Sequence, residues 1–217
     1  MVKKKTCLLM IESHIANGLF VFVVLNSLWV VHAQTQSSSV GRQTNADNEY
    51  QTGAILWTQS SAEYRALAYQ TFALAQLRLD GYLRSHPNTV QRKTDRVRRS
   101  SNPPAVIVDI DETVLDNSRY QAELVLRGRA YDSESWTSWC ERAVAGAVPG
   151  AIDFLKYATT RGVRVFYITN RRMSEKSGTI KNLQRLGFPN VFEETVMVRE
   201  ALATSSKESR REKVRDH

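Results

Sequence analysis

Cysteine is scarce in this chain, with only Cys7 and Cys140 among 217 residues. Cys7 lies in a segment that we expect to be removed, so Cys140 would be the single thiol of the mature chain. One thiol cannot form an internal disulfide, and no histidine lies near Cys140 in the sequence to activate it as a nucleophile. We therefore expect Cys140 to take part in helix packing.

Aromatic residues are absent from the most basic part of the chain. Residues 84–100 contain six basic residues and one acidic residue, and the formal net charge of the whole chain is +8. A basic segment can bind nucleic acid, but without aromatic side chains this one has no platform on which bases could stack. We interpret it as a solvated loop and expect no nucleic-acid partner, so nucleic-acid binding is the function that we rank last. A loop that attracts phosphorylated substrates is a weaker alternative.

No apolar run in the chain is long enough for a comfortable membrane span. The run Leu19–Val31 follows a lysine cluster from Lys3 to Lys5 and precedes Ala33, in the pattern of a cleavage site. These features predict a signal peptide and an exported protein, periplasmic or secreted, with no stable membrane anchor. An uncleaved anchor and a true start at Met10 are the alternatives.

The remaining sequence is typical of one globular domain. Hydrophobic residues make up 42% of the chain and charged residues 24%, which suits a domain with a single buried core. The predicted organisation is a signal peptide at 1–33, a flexible linker at 34–52 and a domain at 53–217.

The hydrophobic pattern predicts alternating strands and helices. Apolar residues at spacings of three and four predict an amphipathic helix over 61–83. Three short apolar runs, at 105–108, 163–168 and 195–198, are typical of buried parallel strands. Further helices are predicted from Pro149 to Gly162, from Ser174 to Gly187 and over 204–216. This order predicts an α/β fold, a three-layer core around a parallel sheet, with a small helical cap formed by residues 117–148.

Two carboxylates directly follow the first predicted strand. Asp109 and Asp111 come after Val106–Val108, and ligands of an open α/β sheet bind beyond the carboxyl ends of its strands. Two close carboxylates repel each other unless a cation lies between them, so both are predicted ligands of Mg²⁺. Asp109 could attack phosphorus and form an aspartyl phosphate, while Asp111 protonates the leaving alkoxide and later deprotonates water. A helix-capping turn without a catalytic role is the alternative.

The sequence around these carboxylates resembles the first motif of the haloacid dehalogenase superfamily, in which Thr113 completes the pattern DxDxT. Thr169, at the end of the second predicted strand, resembles the second motif, whose hydroxyl group binds the transferring phosphoryl group. Lys207 resembles the third motif, a lysine that neutralises the charge of the phosphoaspartate and phosphate. Outside this context Thr169 would reflect only strand propensity, and Lys207 would be a surface residue.

Several segments narrow the resemblance to the bacterial class C acid phosphatases, a family that includes outer-membrane lipoproteins acting as 5′-nucleotidases. The segments are 56–64, 109–118, 147–151, 166–171 and 175–179, within a match over residues 53–215. The resemblance implies a Mg²⁺-dependent enzyme that hydrolyses small phosphomonoesters, often nucleoside monophosphates, at acidic pH. Members of this family are usually dimeric, so the resemblance also implies a homodimer as a state to test. The residues that it makes candidates for substrate binding are Thr113, Asn117, Asn170, Arg171 and Trp136, and Trp139 and Tyr120 are further aromatic candidates for nucleobase contact or core packing.

Two features depart from the family pattern. No cysteine follows the apolar segment, so a lipid anchor is not expected. The family continues into a further strand and an acidic fourth motif that completes the Mg²⁺ site, and nothing after Lys207 supplies that motif here. We therefore expect a truncated sequence or a poorly active product, with one edge of the first strand unpaired. The alternative function is a non-catalytic phosphate- or nucleotide-binding relative.

Other enzymes of the superfamily would also use Asp109. A phosphotransferase shares this nucleophile and stays an alternative. A phosphonatase typically needs a Schiff-base lysine in its cap, and residues 117–155 contain no lysine.

Overall fold

The computed structural model describes residues 45–86, 103–200 and 206–215. Its helices are α1 (Asn45–Ser60), α2 (Ala62–Ser85), α3 (Ser118–Leu126), α4 (Ser133–Arg142), α5 (Ala151–Thr160), α6 (Lys176–Leu186) and α7 (Glu208–Arg215). Its strands are β1 (Ala105–Val108), β2 (Leu115–Asp116), β3 (Gly146–Ala147), β4 (Arg164–Arg172) and β5 (Val196–Arg199). The signal peptide, the Met10 start and the basic segment beyond residue 86 lie outside these ranges. None of the helices within them is long and apolar enough to cross a membrane.

Three parallel strands form the central sheet in the order β1–β4–β5. Along β1, Val108 lies opposite Tyr167 of β4, so β1 ends at the carboxyl edge of the sheet while β4 continues to Arg172. Asp109 follows β1 at that edge, and Thr169 lies near it on β4. Within the described ranges β1 pairs with β4 alone, so no strand lies on its other side there. The sheet therefore gathers the predicted catalytic side chains at its carboxyl edge.

Helices cover both faces of the sheet, because successive strand residues point to opposite sides. The side chains that share a core with α2, α5 and α6 are Val106, Val108, Val165 and Tyr167. The side chains that pack with Val214 of α7 are Ala105, Ile107, Phe166 and Ile168. The predicted three-layer α/β core is thus confirmed.

The long helix α2 begins where the sequence predicts. The Ser61 hydroxyl caps it by accepting a hydrogen bond of 2.9 Å from the Tyr64 N–H. The buried face consists of Tyr64, Ala68, Phe72, Ala75, Leu79 and Leu83. This face packs against α5, and Gly150 caps α5 with a φ of +85°, where an added Cβ would lie 3.2 Å from Phe72. Only glycine combines that backbone conformation with such a close approach.

The cap consists of α3 and α4, and α4 packs closely on α6. A Cβ added at Gly178 of α6 would lie 2.3 Å from the Cys140 carbonyl oxygen, so the two backbones touch. Cys140 is 2% exposed, and burial raises the pKa of its thiol to about 12. The thiol therefore stays protonated at neutral pH and serves packing, as its sequence context indicates.

Two local elements differ from the sequence prediction. Helix α1 begins at Asn45, inside the segment interpreted as a flexible linker, and it packs against α3. Ser174 does not cap α6, because a 3₁₀ turn over Met173–Glu175 precedes that helix. The Glu175 carboxylate instead accepts a hydrogen bond of 2.7 Å from the Arg172 N–H. The buried glutamate thereby fixes the turn that joins β4 to α6.

Candidate active site

Asp109 and Lys207 face each other at the carboxyl edge of the sheet. The Lys207 Nζ lies 2.6 Å from Asp109 Oδ1, and the two side chains are 19% and 20% exposed. The Ile110 N–H donates to the same carboxylate oxygen at 2.8 Å. In the described part of the chain nothing hydrogen-bonds to Asp109 Oδ2. One oxygen of Asp109 is therefore held in place by donors, and the other is left for a reacting group.

Asp111 is held by four donor groups. Arg171 donates from Nη2 and Nε to Oδ1 at 2.7 and 3.0 Å, and the Asn117 Nδ2 donates to the same oxygen at 3.0 Å. The Thr169 hydroxyl lies 3.2 Å from Oδ2. The Thr169 hydroxyl can also accept a hydrogen bond, so it can remain a partner of Asp111 whether or not that carboxyl group carries a proton.

Arg171 connects Asp111 to the cap. It is 3% exposed, its Nη1 donates to the Thr179 hydroxyl at 3.0 Å, and its guanidinium lies 5.3 Å from the ring centre of Trp136. A buried charged pair is favourable only when its hydrogen bonds are satisfied, and here the arginine meets both a carboxylate and a hydroxyl. The geometry makes Arg171 a support for Asp111.

The site geometry agrees with the comparison with known protein families. A model of the HAD superfamily, subfamily IIIB (acid phosphatase), matches residues 13–217. The chain belongs to this family. The family resemblance inferred from the sequence is thus confirmed.

Solved structures and a curated protein give the same family. Two structures of the class C acid phosphatase from Bacillus anthracis, one with tungstate bound, share 39% identity with this phosphatase-family chain at a TM-score of 0.67. Each alignment covers 78% of this chain and 65% of the Bacillus anthracis chain. Acid phosphatase 1 of Solanum lycopersicum is 29% identical over 82 residues, which are 38% of this chain and 32% of that protein. The chain therefore spans less than two thirds of the length of these relatives.

The predicted substrate-binding residues of this family member differ in their access to solvent. Thr113 and Asn117 are 2% and 0% exposed, and Asn117 is occupied by Asp111 and by the Trp139 Nε1, which donates to its Oδ1 at 2.9 Å. Asn170 is exposed and Trp136 is partly exposed, so these two can meet a ligand. Arg171 is buried against Asp111, and a substrate would reach it only after Asp111 moves.

The aromatic candidates in the cap divide in the same way. Trp139 and Tyr120 are 2% and 3% exposed, and they belong to the core. Tyr131, which the sequence reasoning did not select, is 61% exposed, with its ring centre 6.2 Å from that of Trp136. No sequence pattern separates Tyr131 from its neighbours, because its position depends on how α4 packs.

Another residue missed by sequence reasoning is Arg210. It lies one turn after Lys207 and is 4% exposed, with hydrogen bonds to Asn170 Oδ1 at 2.9 Å and to the Thr169 carbonyl oxygen. The spacing of Arg210 and Val214 by four residues was an available signal, because it puts both on one helix face.

The fit of a divalent cation rests on the carboxylates that have free oxygens. Mg²⁺ takes one or two carboxylates together with substrate phosphate. The Asp109 carboxylate has enough acceptor sites to offer one oxygen to a cation and the other to phosphorus, whereas both oxygens of Asp111 are taken by Arg171, Asn117 and Thr169. Within the described ranges no three His, Cys, Asp or Glu side chains cluster as a metal site. The described residues thus fit a cation through Asp109, and the prediction for Asp111 as a second ligand gains no support.

Glu112 lies beside Asp111 in the sequence, in an unusual environment. Its φ of +54° falls in the left-handed region, which non-glycine residues seldom adopt. Its Oε1 accepts a hydrogen bond of 3.1 Å from the Asn117 N–H. Burial, and then the negative charge of Asp111, raise the pKa of Glu112 from 4.5 to about 7. In the acidic range Glu112 is thus neutral and adds no third negative charge to the site.

The raised pKa of Glu112 predicts how stability depends on pH. The folded state binds the proton of the Glu112 carboxyl group more tightly than the unfolded state does. The stabilisation that results from this proton is therefore fully present below pH 4.5 and is lost by about pH 7. We expect the free energy of unfolding to fall by at most about 3 kcal/mol across that window, and Glu112→Gln to remove this fall. Urea unfolding at a series of pH values, in buffer with EDTA, measures both.

A matched control for Glu112 is Glu141→Gln, because Glu141 is exposed on α4. Its unfolding free energy should follow that of the wild-type chain at every pH. If Glu112→Gln also follows the wild-type curve, Glu112 does not carry the buried proton.

Proposed function

We propose that this chain is a phosphomonoesterase that works through an aspartyl phosphate on Asp109. The observation that carries the proposal is the geometry of Asp109, whose Oδ1 meets Lys207 at 2.6 Å while Oδ2 faces no donor among the described residues. Membership of the acid phosphatase family supports the same reaction class.

In the first half-reaction Asp109 Oδ2 attacks phosphorus, and the bond from phosphorus to the ester oxygen breaks. Asp111, when protonated, gives its proton to the departing oxygen, so the product is a neutral alcohol. The Thr169 hydroxyl, 3.2 Å from Asp111 Oδ2, can accept from the protonated acid and keep it oriented. Lys207 offsets the negative charge that gathers between Asp109 and the phosphoryl group.

In the second half-reaction water replaces Asp109 on phosphorus. Asp111, now a carboxylate, takes a proton from the water as its oxygen attacks, and the bond between phosphorus and Asp109 breaks. Inorganic phosphate and the starting carboxylate of Asp109 are restored, and Asp111 again carries a proton. The hydrogen bonds of Asp111 with Arg171 and Asn117 hold its carboxylate in place for both steps.

Mg²⁺ is the cofactor that we propose for this reaction. When bound beside Asp109 it would supply positive charge for the phosphate oxygens. Subfamily membership supports a divalent metal in general, and the Asp109 carboxylate would be its ligand. We also propose export of the chain, to the periplasm or the medium, and this proposal rests only on the pattern of residues 1–33.

Nucleoside monophosphates are the substrates that the cap would suit. Trp136 is partly exposed, contacts Arg171 behind Asp111, and lies beside the exposed ring of Tyr131. Aromatic rings at the rim of a phosphate site can stack on a nucleobase, with about 1–3 kcal/mol for each base. A purely structural role of Trp136 in the cap would give no preference for nucleotides.

The test is phosphate release by the purified chain from 4-nitrophenyl phosphate and from a nucleoside monophosphate, at mildly acidic pH, with and without Mg²⁺. We expect turnover of both substrates that depends on Mg²⁺. Tyr131→Ala and Trp136→Leu should each lower kcat/KM for the nucleotide by about tenfold, in line with one lost stacking contact. They should lower kcat/KM for 4-nitrophenyl phosphate less.

The matched control for these aromatic variants is Tyr69→Ala on α2, because Tyr69 is 48% exposed and its ring lies near Gly150 at the start of α5. Equal losses for both substrates would contradict nucleobase stacking. A folded wild-type chain that binds tungstate or phosphate but releases no phosphate would instead support the non-catalytic binding function.

A further inference from the structure

Arg210 is a buried arginine that has no role in the proposed reaction. It lies on α7 and is 4% exposed, although its helix is otherwise strongly charged and polar. Its Nη2 donates to Asn170 Oδ1 and to the Ser206 carbonyl oxygen, each at 2.9 Å, and its Nη1 donates to the Thr169 carbonyl oxygen. No carboxylate hydrogen-bonds to it in the described part of the chain. Burying a guanidinium without an ion-pair partner costs free energy, so the three hydrogen bonds are needed to stabilise Arg210 in its buried position.

The three acceptors of Arg210 belong to both halves of the active site. Thr169 is on β4, and its side chain contacts Asp111 while its carbonyl oxygen contacts Arg210. Ser206 directly precedes Lys207, the residue whose Nζ meets Asp109. Arg210 therefore binds one residue next to the lysine and one residue that contacts the proposed acid.

We propose that Arg210 is a positioning residue, which sets the place of Lys207 against Asp109 by joining the start of α7 to the carboxyl end of β4. The kinetic part of this inference rests on the proposed function, and its structural part does not. Arg210 touches neither Asp109 nor Lys207 through its side chain, so it acts through the backbone of Ser206 and through β4.

The apolar contact of α7 does not by itself fix Lys207. Val214 packs with Ile107 and Phe166 at the far end of the helix, about two turns beyond the lysine. That contact alone leaves the helix free to pivot, and the ion pair of Lys213 with Glu200 at 2.7 Å lies beside Val214, equally far from Lys207. A planar guanidinium with several donors, in contrast, fixes orientation as well as distance.

The test compares Arg210→Met and Arg210→Lys with Arg211→Met in the full chain. Arg211 is the matched control, since it follows on the same helix and its side chain, among the described residues, forms only a partly exposed ion pair with Glu208 at 3.3 Å. The first readout is the rate of reductive methylation of Lys207, followed by mass spectrometry of its peptide. Lys213, whose side chain is 51% exposed, is the internal reference.

We expect Arg210→Met to raise the methylation rate of Lys207 relative to Lys213 at least about fivefold, as a partly buried ion pair loosens. Arg210→Lys should give a smaller rise, because one ammonium cannot reproduce the fork of a guanidinium. Arg211→Met should match the wild-type chain. A wild-type rate for Lys207 in folded Arg210→Met would overturn the inference, whether or not the chain hydrolyses phosphate.

The second readout is kinetic. If the wild-type chain is a phosphatase, Arg210→Met should lower kcat about 10- to 100-fold through misplacement of Lys207, with KM changed less than about threefold. A loss confined to KM would overturn the positioning role. If circular dichroism shows that the methionine variant does not fold, Arg210→Lys decides instead: faster methylation of Lys207 than in the wild-type chain supports the inference, and an unchanged rate overturns it.

Discussion

Replacing Asp109 with asparagine is expected to abolish phosphate release, with a loss of kcat of about 10⁴-fold or more. The amide keeps the size of the side chain but lacks the anionic oxygen that attacks phosphorus. It also removes the charge partner of Lys207, now 2.6 Å away. The measurement is steady-state release of phosphate from 4-nitrophenyl phosphate, together with acid trapping of ³²P-labelled protein, and the variant should show no trapped label.

Asp153→Asn is the matched control, because Asp153 is an exposed aspartate in the first turn of α5. It should keep wild-type kcat and the trapped label. Thermal unfolding of both variants checks that any loss is chemical, since only part of the Asp109–Lys207 pair is shielded from water and its loss should cost little stability. Turnover by Asp109→Asn within tenfold of the wild-type rate would remove Asp109 as the nucleophile.

The order of strands and helices could be predicted from the sequence because each element carries its own signal. The β-branched run at 105–108 became β1 without change of bounds, and Ser61 capped α2 through its hydroxyl. Gly187 ends α6 in the left-handed conformation, with a φ of +80°. Where the prediction was wrong, as at Ser174, a buried partner from another element decided the outcome: Glu175 bonds to Thr137 of α4 at 3.0 Å. Local patterns contain no information about such a partner.

The proposed catalytic set was predictable only in part, for the same reason. Strand ends placed Asp109 and Thr169 at one edge, and the family resemblance added Lys207 from far along the chain. The partners of Arg171 and Arg210 could not be predicted, because an arginine in a polar stretch is normally exposed. Each becomes buried only when two elements meet: Arg171 between β4 and the cap, and Arg210 between α7 and β4.

Asp111→Asn is expected to separate the two half-reactions. An amide cannot protonate a leaving group, so an alkyl phosphate or nucleoside monophosphate should lose about 10²- to 10⁴-fold in kcat. 4-Nitrophenolate leaves without a proton, so its first release should stay fast. Because the amide also cannot activate water, the phosphoenzyme should accumulate. A rapid burst of nitrophenolate, with label trapped on Asp109, is the measurement.

Asp111→Asn is also expected to destabilise the fold, so the free energy of unfolding must be measured together with the kinetics. Arg171 is 3% exposed, and asparagine would leave its charge without an anion, which in buried pairs costs about 3–5 kcal/mol. Both short arginine hydrogen bonds end on Oδ1, whose place the asparagine oxygen can take, so we expect the smaller part of that range. Folded Asp111→Asn in which the first turnover of good and poor leaving groups is slowed equally would contradict the acid role, because loss of position alone does not depend on the leaving group. A burst with only poor leaving groups slowed would assign the proton transfer to Asp111, and Arg171, Asn117 and Thr169 would then be the residues that hold the acid in place.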